Sequence, residues 1–78
     1  MLFRSSVSAY DRRGLLRDLT DVVAGERLNI EAVTSGTDHG TGIAHFALAV
    51  AVEDLEQLSR VLRRLAAVTN VIEARRRL

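Results

Sequence analysis

Residues 5–23 read Ser5-Ser6-Val7-Ser8-Ala9-Tyr10-Asp11-Arg12-Arg13-Gly14-Leu15-Leu16-Arg17-Asp18-Leu19-Thr20-Asp21-Val22-Val23, and the spacing of their apolar side chains changes at Gly14. Before it, residues 2–9 alternate in places, with Phe3, Val7 and Ala9 on one side and Arg4, Ser6 and Ser8 on the other. That period suits a half-buried strand. After it, Leu15, Leu16, Leu19, Val22 and Val23 follow the i, i+1, i+4, i+7, i+8 pattern of a helix with one buried stripe. Asp11 stands where it can cap that helix and Gly25 where it can stop it, which predicts a helix over about residues 12–26.

Moving outward, the same strand-to-helix switch occurs a second time. Residues 29–37 carry Ile30, Ala32 and Val33 among β-tolerant Thr34 and Ser35, and the turn formers of residues 37–42 follow. Residues 43–52 then alternate cleanly, Phe46, Leu48, Val50 and Val52 against His45, Ala47, Ala49 and Ala51. Those two runs with the turn between them predict a hairpin. Asp54 with Gln57 three residues on is a capping-box variant, and Leu55, Leu58, Val61, Leu62 and Leu65 predict a second helix over residues 54–67. Residues 71–76 close the chain as a strand, with Ile72 and Ala74 expected to point one way.

The order β-α-β-β-α-β predicts an α+β, ferredoxin-like sandwich. Two single-stripe helices bury their stripes only by sharing one face of a four-stranded antiparallel sheet. Right-handed crossovers give the order 4-1-3-2. The uncovered face of the third strand would then show His45, Ala47, Ala49 and Ala51, small apolar groups where water would ordinarily meet Thr, Lys or Glu. Something is expected to pack on them, although ten Ala in the whole chain give a purely compositional reading equal standing.

Seventy-eight residues without Cys or Pro allow one domain and exclude disulfides and four-thiolate zinc sites. A core this small leaves only a few kcal/mol of stability, so association is expected, either with a larger protein or with a second copy, edge to edge through the second strand or face to face over Ala47 and Ala49. All eleven basic residues are Arg, yet the net charge is +1, short of the footprint of a nucleic-acid binder. No apolar run approaches the ~18 residues of a membrane span and no signal peptide is visible, so a cytoplasmic location is expected.

The run from Tyr10 to Leu19, with Leu28-Asn29-Ile30 and the closing Asn70-Val71-Ile72-Glu73-Ala74-Arg75-Arg76, resembles an ACT domain. More narrowly it is similar to the C-terminal ACT domain of long RelA/SpoT homologues, the synthetases and hydrolases of the alarmone (p)ppGpp in the stringent response. The resemblance spans about residues 3–77 and implies the same βαββαβ fold. It also implies that residues 1–78 are the last, regulatory domain of a longer polypeptide whose catalytic parts lie elsewhere, with Met1 marking only where this fragment starts. The domain itself would be no enzyme and need no cofactor.

Such domains commonly hold an amino acid between two copies, using the loop after the first strand of one and the start of the second strand of the other. Carried onto this chain, that implies a homodimer with ligand-binding residues Asp11, Arg13, Gly14, Leu15, Asn29 and Ile30. Gly14 would admit a carboxylate to a helix N-terminus, Asp11 would meet an ammonium, and Asn29 would add an amide. Leu15, Ile30 and Val33 would favour a branched-chain side chain. Arg13 stands where many family members carry Pro. The alternative is a protein- or ribosome-interaction module without a small ligand; other domains of the parent are expected partners in either case. An acylphosphatase-like enzyme is disfavoured because no amide accompanies the Asp-Arg-Arg-Gly loop, and base stacking because only Phe3, Tyr10 and Phe46 are aromatic. His39 reads as a solvated loop residue and His45 as a packed or interface residue, not as a metal pair.

Overall fold

The computed structural model describes residues 2–77. Met1, on which the expected fragment boundary falls, lies outside them. The elements are β1 (Leu2–Tyr10), α1 (Leu15–Gly25), β2 (Asn29–Asp38), β3 (Ile43–Ala51), α2 (Leu55–Ala66) and β4 (Val71–Arg77). The sheet runs β2-β3-β1-β4, the expected 4-1-3-2 order read from the other edge, and every neighbouring pair is antiparallel.

Both helices bury their stripes against the same side of the sheet. Leu15, Leu19 and Val23 of α1 and Leu58, Val61 and Leu65 of α2 form one cluster with Val7, Ala9, Phe46, Leu48 and Val50. The α1 stripe is narrower than the spacing predicts, because Leu16 turns outward and is 40% exposed. Asp54 caps α2 as expected, accepting from the Gln57 amide at 2.8 Å, and Gln57 Oε1 accepts in return from the Glu53 amide at 2.8 Å.

Three local expectations are corrected. α1 starts at Leu15, not near residue 12, and Asp11 does not cap it; its N-cap is Gly14. Gly25 is the last residue of the helix but not its left-handed stop: the cap residue is Glu26, and the positive φ, 60, falls on Arg27. Ile72 and Ala74 do not share a side: the β1–β4 register shifts between Ser8 and Ala9, which bulges Ile72 out to 49% exposure and brings Val71 and Ala74 onto the core instead.

Candidate functional site

The turn from β1 into α1 is built around one left-handed backbone position. Gly14 sits at φ 79, ψ 3, in the left-handed region, and no side chain caps the helix behind it. A Cβ placed there would meet nothing within 4 Å, so the angle, not crowding, calls for glycine. The space before the first turn of α1 is therefore open, and the amides there have no intrahelical acceptors and carry the positive end of the helix dipole.

Asp11 and Arg13 flank that opening. Both are exposed, and neither side chain has a hydrogen bond or ion pair among the described residues. The Asp11 backbone N–H donates to Gly42 O at 2.9 Å, which ties this turn to the β2–β3 hairpin. A carboxylate and a guanidinium thus flank the helix N-terminus in sequence, without a partner among the described residues.

Arg12, between them, is the residue that sequence reasoning passed over. Its side chain is 25% exposed and its Nη2 donates to Asp18 Oδ2 at 2.6 Å. Nε and Nη2 also donate to Thr69 O at 3.3 and 3.2 Å, and Tyr10 N donates to Asn70 O at 2.9 Å. These bonds lash the β1–α1 turn to the α2–β4 turn. Their partners lie far along the chain, so no local spacing could have revealed them.

Leu15 and Ile30 are committed to packing. Leu15 is 2% exposed in the core and Ile30 is half-buried against it, so Leu15 offers a ligand no side-chain surface. Asn29 is exposed at the start of β2. The structure does not bring it to Gly14. Leu2 and Asn29 both pair with Ala51, whereas Tyr10 and Asp38 both pair with Ile43 at the other end of β3. Those ends are about 27 Å apart at the rise of an extended strand. Within one chain the predicted residues form two separate groups.

A model of the ACT domain matches residues 3–76. The chain belongs to the ACT-domain family. GTP pyrophosphokinase of Haemophilus influenzae is 40% identical over 70 residues, and that of Escherichia coli K12 is 41% identical over 70; in each the match covers 90% of this chain. The chain spans only 9% of the length of those relatives. The crystal structure of the ACT domain from GTP pyrophosphokinase of Chlorobium tepidum superposes with a TM-score of 0.86 at 21% identity, covering 99% of this chain and 97% of that one. The small subunit of acetolactate synthase from Thermotoga maritima reaches 0.84 at 16% identity, covering 97% of this chain and 47% of that one.

The helices of this ACT domain are joined at the far end from Gly14. Glu26, 15% exposed, meets Arg64 at 2.9 Å and Arg60 at 3.5 Å. The hydrogen bond from Arg64 holds the Glu26 carboxyl below its ordinary range, helped by the charges of both arginines and opposed by partial burial. Among the described residues no cluster of acidic and His side chains is placed to hold a metal. No helix there is long and apolar enough to cross a membrane. His45 faces Ser8, its Nδ1 3.2 Å from the hydroxyl, and His39 lies exposed in the hairpin turn.

Proposed function

We propose that this ACT domain is the regulatory module of a longer cytoplasmic (p)ppGpp synthetase or hydrolase, and that it senses an aliphatic amino acid as a homodimer joined through β2. The alarmone chemistry would reside in the rest of that polypeptide, and the domain would act on it by changing state with ligand.

The observation that carries the reading is the separation of Gly14 and Asn29 to opposite ends of the sheet. If the β2 edges of two copies pair antiparallel about a two-fold axis, Asn29 of each copy arrives at the Asp38 end of the other. That end carries the β1–α1 turn, through the Asp11 to Gly42 bond. The pairing would also occupy the free hydrogen-bonding groups of a ten-residue edge strand that is almost wholly exposed. Val33, on the helix side of that edge and 41% exposed, would be covered with it.

In the joint site the helix N-terminus and Arg13 would hold the ligand carboxylate, Asp11 its ammonium, and Asn29 of the second copy would complete the polar contacts. Val33 and the exposed part of Ile30 would receive an aliphatic side chain. Affinity in the ~10 μM to 1 mM range, about 4 to 7 kcal/mol, suits a sensor of metabolite level. The test is light scattering at ~100 μM followed by thermal shift with valine, leucine and isoleucine at millimolar concentration, with aspartate and lysine as controls. A dimer stabilised by the branched-chain set alone supports the reading; a monomer, or a dimer indifferent to all five, overturns it.

A further inference from the structure

The side of the sheet away from the helices carries a second, unrelated feature. Strand register places Arg77, Arg4, Ala49 and Ala32 in one row across β4, β1, β3 and β2, and Arg75, Ser6, Ala47 and Thr34 in the next. The alanines leave a shallow concavity of about 750 Å³, with Ala32, Ala47 and Ala49 as its floor and Arg4 and Arg77 along one rim. Ala49 is only 9% exposed.

Arg4 and Arg77 stand directly opposite each other, an arrangement that weakens a strand pair. Neither has an acidic partner among the described residues. The carboxylate on this face, Glu73, is already taken by Arg75 at 3.0 Å. Protection of an exposed edge explains arginines on β4, since charge there blocks unwanted strand pairing. It does not explain Arg4, which lies on a central strand. Two uncompensated guanidiniums beside an apolar floor are matched by carboxylates carried on an aliphatic surface.

We propose that this face docks an acidic amphipathic helix of a partner polypeptide, its small apolar stripe on Ala32, Ala47 and Ala49 and its acidic flank on Arg4 and Arg77. The lining does include Phe3, but the Arg76 guanidinium already lies over its ring, 4.8 Å from the centroid, and the floor of methyl groups that remains suits aliphatic side chains better than a stacked nucleobase. A helix about 10 Å across fits the width of two to three strands at about 4.8 Å each. The inference rests on other residues than amino-acid sensing, which uses the β1–α1 turn with Asn29, Ile30 and Val33.

The experiment titrates the isotope-labelled 78-residue protein with three synthetic helical peptides of about fourteen residues. One carries an Ala/Leu stripe flanked by Glu, one has Lys in place of Glu, and one is a scramble of the first that destroys the stripe. The expected result is saturable binding of the acidic peptide alone, with amide shifts at Ala32, Ala47 and Ala49. Arg4→Ser with Arg77→Ser should weaken it about tenfold. These variants relieve a like-charge pair, so their melting temperature should hold or rise. Ala49→Glu is the second variant: opposite Arg4 it supplies an internal carboxylate, and it should block the peptide while leaving the dimer intact. Equal binding of the scrambled peptide, shifts confined to another surface, or tighter binding of a single-stranded RNA on the same residues would overturn the proposal. So would loss of the dimer in Ala49→Glu, which would assign the face to a second copy.

Discussion

The two halves of the fold each pass from a strand into a helix, and they do it in opposite ways. At the β3–α2 turn Asp54 caps the helix and Gln57 reaches back to the Glu53 amide, so the local polar groups are used up inside the turn. At the β1–α1 turn the cap position is a glycine at φ 79 with no side chain, while Asp11 and Arg13 on either side have no partner among the described residues. The first turn is finished by its own sequence. The second has its frame held by Arg12, which reaches across the fold to Thr69, while the side chains of Asp11 and Arg13 keep no partner among the described residues. Local satisfaction stabilises a helix end; its absence, in the same fold and at the equivalent place, is what the proposed amino-acid site draws on.

The largest effect that can break this contrast is at Gly14. Gly14→Val should cost about 1 to 3 kcal/mol in denaturant unfolding, because a β-branched residue resists a positive φ, and should abolish amino-acid binding. Gly14→Asn, which tolerates that angle better, should recover most of the stability but not the binding. If Gly14→Asn binds as the parent does, open space at the helix end is irrelevant.

Next come the two aspartates. Asp54→Ala should lower stability by about 0.5 to 2 kcal/mol through loss of a cap and leave ligand affinity alone. Asp11→Ala should move stability by less than about 0.5 kcal/mol and weaken binding instead. A clear stability loss in Asp11→Ala would erase the difference between the turns.

Asn29→Ala should weaken binding by about 1 to 3 kcal/mol, the loss of a hydrogen bond to a charged group, and it sharpens the comparison further when combined with Asp11→Ala. A dimer mixing the two variants contains one site with both defects and one with none. Co-refolded mixtures should therefore regain, in calorimetry, a fraction of sites with the parent affinity that each variant loses alone. Failure to complement would place both residues' effects within one chain, against the 27 Å or so that strand geometry puts between them.

Much of this was legible in the sequence, for reasons that differ by residue. The change of period at Gly14 and the clean alternation of residues 43–52 report burial directly, and burial decides strand order once handedness is added. Asp54 was readable because its partner Gln57 is three residues away. Asp11 resembles it but does not cap, because the helix starts four residues later, at Leu15, behind a cap position, Gly14, that has no side chain. Ile72 was misplaced because a bulge leaves no trace in composition. Arg12 holding Thr69, and Arg4 facing Arg77, depend on register between strands and turns far apart in the chain, which no spacing rule contains.

The smallest expected effect concerns the other end of α1 and is visible mainly through pH. α1 has no basic residue in its last turn and closes on Glu26, the wrong sign for that end of a helix dipole. Arg64 and Arg60 of α2 offset it, and the Gly25 position stays bare where a Cβ would come within 3.3 Å of Arg64 Nη2. Because the folded state holds the Glu26 carboxyl below its ordinary range, ionised Glu26 is favoured by folding. Its contribution is complete above the ordinary carboxylate range and fades as pH falls through the lowered folded value. Glu26→Gln should therefore melt below the parent at neutral pH, and the two curves should converge in acid. Because the pair is partly solvated, added salt should shrink the gap at neutral pH. A gap that persists unchanged into acid would mean that Glu26 acts by packing between the helices, and that α1 is steadied at its closing end by shape and not by charge.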